Sequence, residues 1–249
     1  MPTPAILLFI KAPHPGAAKT RLTPFLTPDA AASVAACLAR DAVGFAAMCL
    51  PPGGRLVIAF APDDAWPELA ETVGVQSLLA LPQRGVDLGE RMANAVSDAT
   101  SLHDLGPLVL LGADCAFMPS EAIRTAFERL GDQGPEAMDV VLGPAEDGGY
   151  YLLGLRSDHR VRPLLTGIVW STDQVLAQTV ANAKRLGLRV FDGLPRCYDI
   201  DTPEDLCRLR DDLQADPERE HIAPAIAHWL RSNPLPTLSF RVSGGAGHP

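Results

Sequence analysis

Cysteine is scarce in this chain and has no pairing pattern. The five residues, Cys37, Cys49, Cys115, Cys197 and Cys207, are odd in number and show no C-x-x-C spacing. That argues against a disulfide framework or a zinc site, and a reduced, cytoplasmic setting fits best. Cations are also short: 21 Lys and Arg stand against 30 Asp and Glu, for a formal net charge of −9. Long nucleic acid needs an extended basic face, so it is not an expected partner. A single nucleotide remains open, because a few cations and a metal ion suffice for it. The N-terminal apolar run, Ala5–Ile10, is far too short to span a bilayer. No basic segment with a cleavage site precedes it, so neither membrane insertion nor a signal peptide is expected.

Apolar residues make up 47% of the 249 positions and charged residues 20%, the composition of a globular chain with a real core. Apolar runs expected as strands lie at Ala5–Ile10, Arg55–Ala61, Val75–Leu79, Leu108–Leu111, Val140–Leu142, Tyr151–Leu155 and Leu188–Phe191. Several are continuous rather than alternating, as in strands covered on both faces. Helical patterns fall between them at Pro28–Cys49, Trp66–Val73, Leu88–Thr100, Pro119–Leu130 and Thr172–Leu186, with two more at Pro203–Leu213 and Pro217–Leu230. Ser171-Thr172-Asp173 is expected to cap the fifth and Gly187 to end it. Strands alternating with helices predict a mainly parallel, doubly wound α/β sheet. One domain is expected over residues 1–231, followed by a loose Pro/Gly/Ser-rich tail over 232–249.

The first strand-to-helix loop, Lys11 to Leu22, concentrates Lys11, Lys19 and Arg21 around Pro13, Pro15 and Gly16. In an open α/β sheet such a loop lies at the carboxyl end of a strand, where ligands bind. Lys suits phosphate as a point charge and Arg as a planar fork. The stretch is not a P-loop, since Ala18 stands where the glycine before the lysine is required. The bland alternative is a solvated charged loop.

Four further segments carry candidate chemistry. Asp114 follows a buried strand in Leu110-Leu111-Gly112-Ala113-Asp114-Cys115 and reads as a Mg²⁺ ligand or as a helix cap. Asp147, Gly148 and Gly149 read either as a hairpin turn or as a ligand contact in which Asp147 binds a hydroxyl or acts as a base. In Tyr198-Asp199-Ile200-Asp201-Thr202-Pro203, Thr202 and Pro203 start a helix. Asp199 and Asp201 are left over and put carboxylates at the crevice, with Asp201 a second metal ligand opposite Asp114. Arg84 or Arg91, in a polar loop running into a helix, reads either as a phosphate or ribose contact or as a surface pair with Glu90. Trp170, beside Ser171, either stacks on a ligand or fills a gap. Cys115 reads as a packed residue rather than a nucleophile.

Taken in order, K-x-P-x-P-G-x-x-K-T-R-L, G-x-D-C, G-P-x-x-D-G-G-Y-Y, W-S-T and D-x-D-T-P-E-D-L resemble the bacterial DUF2064 family over roughly residues 5 to 210. That family is also labelled radical-SAM- or selenodomain-associated transferase 1, or arsenosugar biosynthesis glycosyltransferase. It belongs to the nucleotide-diphospho-sugar transferase superfamily. The resemblance implies a glycosyltransferase-A-like, Rossmann-like three-layer sandwich with a seven-stranded mixed sheet and a nucleotide site over its N-terminal half. It further implies Asp114 and Asp201 as ligands of Mg²⁺ or Mn²⁺. Lys11, Pro13, Gly16, Lys19, Arg21, Arg84 and Asp87 would then lie along the nucleotide and its phosphates. Asp147, Gly148, Gly149, Trp170 and Ser171 would face the sugar or acceptor, with Asp147, Lys19 and Arg21 taking part in the reaction. One departure is Ala116, where relatives usually carry Pro.

The expected activity is metal-dependent transfer from a nucleotide-sugar to a small-molecule acceptor. The first loop also resembles that of phospholactate guanylyltransferases, which makes nucleotidyl transfer with pyrophosphate release the alternative. A non-catalytic nucleotide-sugar-binding protein is a third reading. Oligomeric state is left open, a homodimer included.

Overall fold

The computed structural model describes residues 2–75, 77–134, 136–156 and 160–237. Seven strands form one sheet: β1 Thr3–Lys11, β2 Arg55–Ala61, β3 Leu79–Pro82, β4 Leu105–Gly112, β5 Val140–Pro144, β6 Tyr150–Leu155 and β7 Val190–Phe191. Their spatial order is β3-β2-β1-β4-β6-β5-β7. β6 runs antiparallel to both β4 and β5, and the remaining pairings are parallel. The sheet is therefore mixed and mainly parallel, as the alternating pattern predicts.

Helices cover both faces. α1 Pro28–Met48, α2 Trp66–Val73 and α4 Ser120–Gly131 pack on one side, against Ile6, Leu8 and Ile10 of β1. α3 Leu88–His103, α5 Val161–Leu165 and α6 Val175–Arg185 pack on the other, against Ala5 and Leu7. α7 Pro203–Ala215 and α8 Pro224–Ser232 form a third cluster with the N-terminal half of α1, through Ala31, Val34 and Leu38. α1 is long and apolar enough to cross a membrane, but its apolar residues are used twice over, on the sheet and on α7 and α8.

Four elements differ from the sequence expectation. β3 starts at Leu79 rather than Val75, because Val75 closes the end of α2 through its N–H on the Ala70 carbonyl. Only Leu79 onward pairs with β2. α5 was not expected: it is a single five-residue turn that buries Val161, Leu164 and Leu165. The helix expected over Pro217–Leu230 is split into a 3₁₀ turn, Pro217–His221, and α8. Pro224 cannot donate to a preceding turn, so it opens a new helix instead. The start of α6 also moves. Ser171-Thr172-Asp173 lies before it, the N-cap is Gln174 with no side-chain cap bond, and Thr172 accepts only from the Gln174 N–H, while Gly187 ends it with the expected reversal. Of the expected tail, Leu235 packs against the α1–α7–α8 cluster, and residues 238–249 lie outside the described residues.

α8 is capped from a distance. Its own N-cap is Ala223, which has no side-chain acceptor. Asp41 of α1, almost fully buried, accepts from the N–H groups of Ala225 at 2.8 Å and Ile226 at 2.9 Å. Burial raises the Asp41 carboxyl above its ordinary pKa, and the two hydrogen bonds and Arg40 only partly offset it. Asp41→Ala strands both N–H groups in an apolar cluster, so chemical denaturation should show a loss of about 1–3 kcal/mol. An unchanged midpoint would mean that α8 does not depend on this contact.

Candidate active site

The strand order reverses at β1: the chain winds outward through β2 and β3, then returns to place β4 on the other side. Open α/β sheets bind ligands at such a switch point, outside the carboxyl ends of the strands. The loops after β1 and β4 form its two lips, and the segment after β7 reaches the same end.

The β1 loop is folded tightly onto itself. Ala12 extends the ladder through its N–H on the Ala61 carbonyl at 2.7 Å, and Ala17 and Ala18 both donate to His14. Gly16, at φ 75°, makes the turn. Lys11 Nζ closes the loop on the Ala17 carbonyl at 2.8 Å, and His14 Nε2 meets Glu68 Oε2 at 3.0 Å, which ties the loop to α2. Lys19 then takes a left-handed conformation, φ 46° and ψ 43°, just before a 3₁₀ turn over Thr20–Leu22 whose Leu22 is fully buried.

Lys19 lies between two carboxylates. Its Nζ donates to Asp201 Oδ1 at 2.9 Å and contacts Asp114 Oδ1. The lysine side chain is only 7% exposed, against 54% for Asp114 and 44% for Asp201. Burial alone would lower the Lys19 pKa, but the charges of Asp114 and Asp201 and the bonds to both outweigh it, and the net shift is upward. The ammonium is held charged.

Each carboxylate has its own support. The Ile200 N–H bonds the Asp114 carbonyl at 2.9 Å, which clamps the β4 loop to the segment before α7. A parallel bridge between Ala145 and Cys197 continues the β5–β7 edge toward that segment. Asp201 sits one residue before Thr202, whose hydroxyl accepts from the Asp205 N–H while Asp205 accepts from Thr202, a full capping box. Asp205 also accepts from the Asp201 N–H at 3.1 Å. The helix start expected at Thr202 and Pro203 thus fixes the backbone that carries Asp201.

Asp199 joins this group, and its signal in the sequence was the alternation with Asp201 about Ile200. Burial, followed by the charges of Asp114, Asp201 and Asp147, raises its pKa from 3.8 to about 7, with Lys19 pulling the other way. Two carboxylates therefore hold the ammonium, and Asp199 lies within reach of both their charges and that of Lys19. A carboxyl whose pKa is higher folded than unfolded favours the folded state most at low pH. That contribution is complete below about pH 4 and is lost as pH rises through about 7. In chelator, the melting temperature should therefore fall between about pH 4 and 7, and Asp199→Asn should flatten the fall. Parallel curves for the two proteins would contradict the assignment.

A cavity of about 250 Å³ opens beside Lys19, bounded by Lys11, Arg21, Asp114, Asp201 and the small Ala35 and Ala39 of α1. Lys11 and Arg21 are exposed there, and Pro13 is half-buried in the same loop. Ala116, in place of proline, packs toward the α1–α7–α8 cluster, with Asp114 held at Lys19. Cys115 is buried and hydrogen-bonded to Cys197. That bond and burial raise its thiol well above the ordinary pKa, so it is a neutral packed group.

Other expected site residues lie elsewhere or do other work. Asp87 is the N-cap of α3, accepting from Glu90 at 2.8 Å, and Arg84 pairs with Asp98 of the same helix. Neither borders the cavity beside Lys19. Gln83, which carries no motif, ties the ends of β1 and β2 by donating to the Ile10 and Ala59 carbonyls at 3.3 and 2.8 Å. Trp170 lies across Gly89 at the start of α3, so its indole fills a gap between helices; Ser171, at φ 62°, is exposed. Asp147 is exposed and accepts from the Gly149 N–H at 2.8 Å through Oδ1, in the five-residue turn between β5 and β6. A side chain at Gly148 would strike the Asp173 backbone, so that glycine serves packing.

The residues fit a hard divalent cation. Asp114 and Asp201 each present an oxygen to the same point in an excess of negative charge. Among the described residues no cluster of three or more His, Cys, Asp or Glu side chains forms a complete ligand set. Two carboxylates with substrate phosphates and water are a usual way to hold Mg²⁺.

A family model described as "Uncharacterized protein conserved in bacteria (DUF2064)" matches residues 46–172. Asp114 and Asp147 lie inside that stretch, and Lys19 and Asp201 outside it. No curated protein matches the sequence. A solved structure from Desulfovibrio desulfuricans G20, provisionally named a nucleotide-diphospho-sugar transferase, is 33% identical over 94% of this chain and 96% of that one, with TM-score 0.78. A 4-diphosphocytidyl-2C-methyl-D-erythritol synthase is 14% identical over 86% of this chain and 99% of its own, with TM-score 0.53. A nucleotidyl transferase from Methanothermobacter thermautotroptrophicus is 13% identical over 93% and 99%, with TM-score 0.53. At such identities the last two speak to the fold alone, and that fold is the glycosyltransferase-A-like α/β sandwich expected from the motifs.

Proposed function

We propose that this chain, which belongs to the DUF2064 family of bacterial proteins, is a transferase that acts on a metal-bound nucleotide polyphosphate. The donor is read as a nucleotide-sugar and the acceptor as a small molecule. The observation that carries this reading is the convergence of Asp114 and Asp201 on one point at the switch-point crevice, beside the exposed cations Lys11 and Arg21.

In this reading Asp114 and Asp201 hold Mg²⁺ or Mn²⁺, and the bound ion supplies Lewis-acid stabilisation of the leaving diphosphate. Lys11 and Arg21, on the rim of the cavity, offset the phosphate charge and set its orientation. Lys19 adds its charge from within the crevice. Asp147, exposed on the turn after β5, uses its second carboxylate oxygen to orient the acceptor hydroxyl or take its proton. The Gly149 N–H on Oδ1 keeps that carboxylate in place.

The same crevice serves nucleotidyl transfer, because both reactions centre on a metal-bound polyphosphate. The products separate the two. Incubation with a panel of nucleotide-sugars and all four NTPs, with Mn²⁺, should release nucleoside diphosphate from one nucleotide-sugar, by transfer to an added acceptor or to water. Pyrophosphate released from an NTP in the presence of a phosphorylated acceptor would assign nucleotidyl transfer instead. Tight ligand binding with neither product would make the chain a binding protein.

A further inference from the structure

We propose that Lys19 is the resident counter-cation of Asp114 and Asp201, and that it exchanges them for ligand phosphates when a divalent cation arrives. This rests on the metal–polyphosphate reading above, but it concerns what Lys19 does before and during binding. A phosphate-gripping lysine should point its ammonium at the open cavity. Here the ammonium is the innermost member of the group, and the two carboxylates reach it from the rim. It sits within bonding distance of one oxygen from each. That gap is also where an ion shared by the two carboxylates must lie. An ammonium and a divalent ion cannot share it, since their charges repel at contact distance in a partly desolvated site.

The left-handed backbone at Lys19 aims the side chain inward. The stem has four rotatable bonds, so Nζ can leave the carboxylates while the turn over Thr20–Leu22 stays anchored by Leu22. Its alternative location is the adjoining cavity, where Lys11 and Arg21 already concentrate positive charge. A third cation is unfavourable there unless phosphate is present. Metal alone must therefore expel Lys19 into a repulsive position, whereas metal with polyphosphate gives each cation a partner. Metal and polyphosphate should bind cooperatively, and Lys19 sets the coupling.

Mn²⁺ binding to the full chain can be read from the paramagnetic signal of free Mn²⁺. It is measured alone and with inorganic pyrophosphate, after correction for their complex in solution. In the wild type, pyrophosphate should raise Mn²⁺ affinity about tenfold or more, within the usual range of coupling between sites. Lys19→Met keeps the stem and removes the charge. It should bind Mn²⁺ alone about tenfold tighter than the wild type and lose most of the pyrophosphate effect. Unchanged Mn²⁺ affinity in Lys19→Met overturns the exchange and leaves the metal site standing. No Mn²⁺ binding by the wild type, even with pyrophosphate, overturns both. Should Lys19→Met fail to fold, Lys19→Gln replaces it, and absence of coupling in the wild type is itself enough to refute the exchange.

Discussion

Asp114→Ala should fold normally and lose at least about 10²-fold in turnover, the effect of removing one strong transition-state contact. The two halves of this expectation have separate origins. The Asp114 side chain is 54% exposed and its only partner among the described residues is Lys19, which keeps Asp201 after the substitution. The loop is held by backbone, through Ile200 and the Asp114 carbonyl, and that bond survives. Activity suffers because half of the carboxylate pair is gone. Charge stabilisation of a leaving diphosphate then depends on Asp201 alone. Steady-state kinetics with a matched thermal melt checks both halves. Near-normal turnover would remove Asp114 from the mechanism, and a large drop in melting temperature would make it structural.

Gly148→Ala should be the most destabilising single-methyl change at the site. Gly148 has φ 89°, and an added Cβ would lie 2.2 Å from the Asp173 carbonyl oxygen and 2.5 Å from its Cα. The left-handed conformation costs a non-glycine residue roughly 1–2 kcal/mol. Backbone displacement adds about 1–3 kcal/mol, because the clash is with main chain and no side chain can swing aside. A total near 2–5 kcal/mol corresponds to a fall of roughly 4–20 °C in melting temperature for a chain of this length. The Gly148 carbonyl also accepts from Leu176 at the start of α6, so the shift should propagate there. Gly149→Ala is the control: its Cβ would meet only the Asp147 carboxylate, at 3.1 Å, which can move. Equal losses in the two variants would contradict this account.

Much of the fold was legible because local signals and tertiary contacts agree. β2 and α2 span the expected residues, since a continuous apolar run and a Pro-initiated helix need no distant partner to define their ends. The elements that moved are those whose limits are set elsewhere. β3 begins where β2 offers a partner. α8 begins at a proline, and the N–H of the next residue, Ala225, is capped by Asp41, 184 residues away in sequence. α5 is shorter than any periodicity can reveal.

The site divides in the same way. Asp114 and Asp201 were visible as carboxylates at strand and helix ends, and Lys19 as part of a basic loop. What the residues could not show is that Lys19 faces the carboxylates rather than open solvent. That depends on a left-handed turn and on a contact 182 residues apart in sequence. Asp87 and Trp170 illustrate the converse. Residue types that suit a ligand are taken up by a helix cap and by a gap over Gly89.

The Asp114–Asp201 crevice should bind a metal–nucleotide complex. Thermal-shift titration with UDP-, GDP-, ADP- and dTDP-sugars and the four NTPs, with and without Mn²⁺, tests it most directly, using wild type and Asp114→Asn/Asp201→Asn side by side. A ligand at about 100 times its dissociation constant stabilises a fold by roughly 2.7 kcal/mol. Mn²⁺-dependent stabilisation of that size is expected in the wild type from at least one member of the panel, with its loss in the double variant. Equal stabilisation of both proteins, or none of the wild type by any member of the panel, would contradict it.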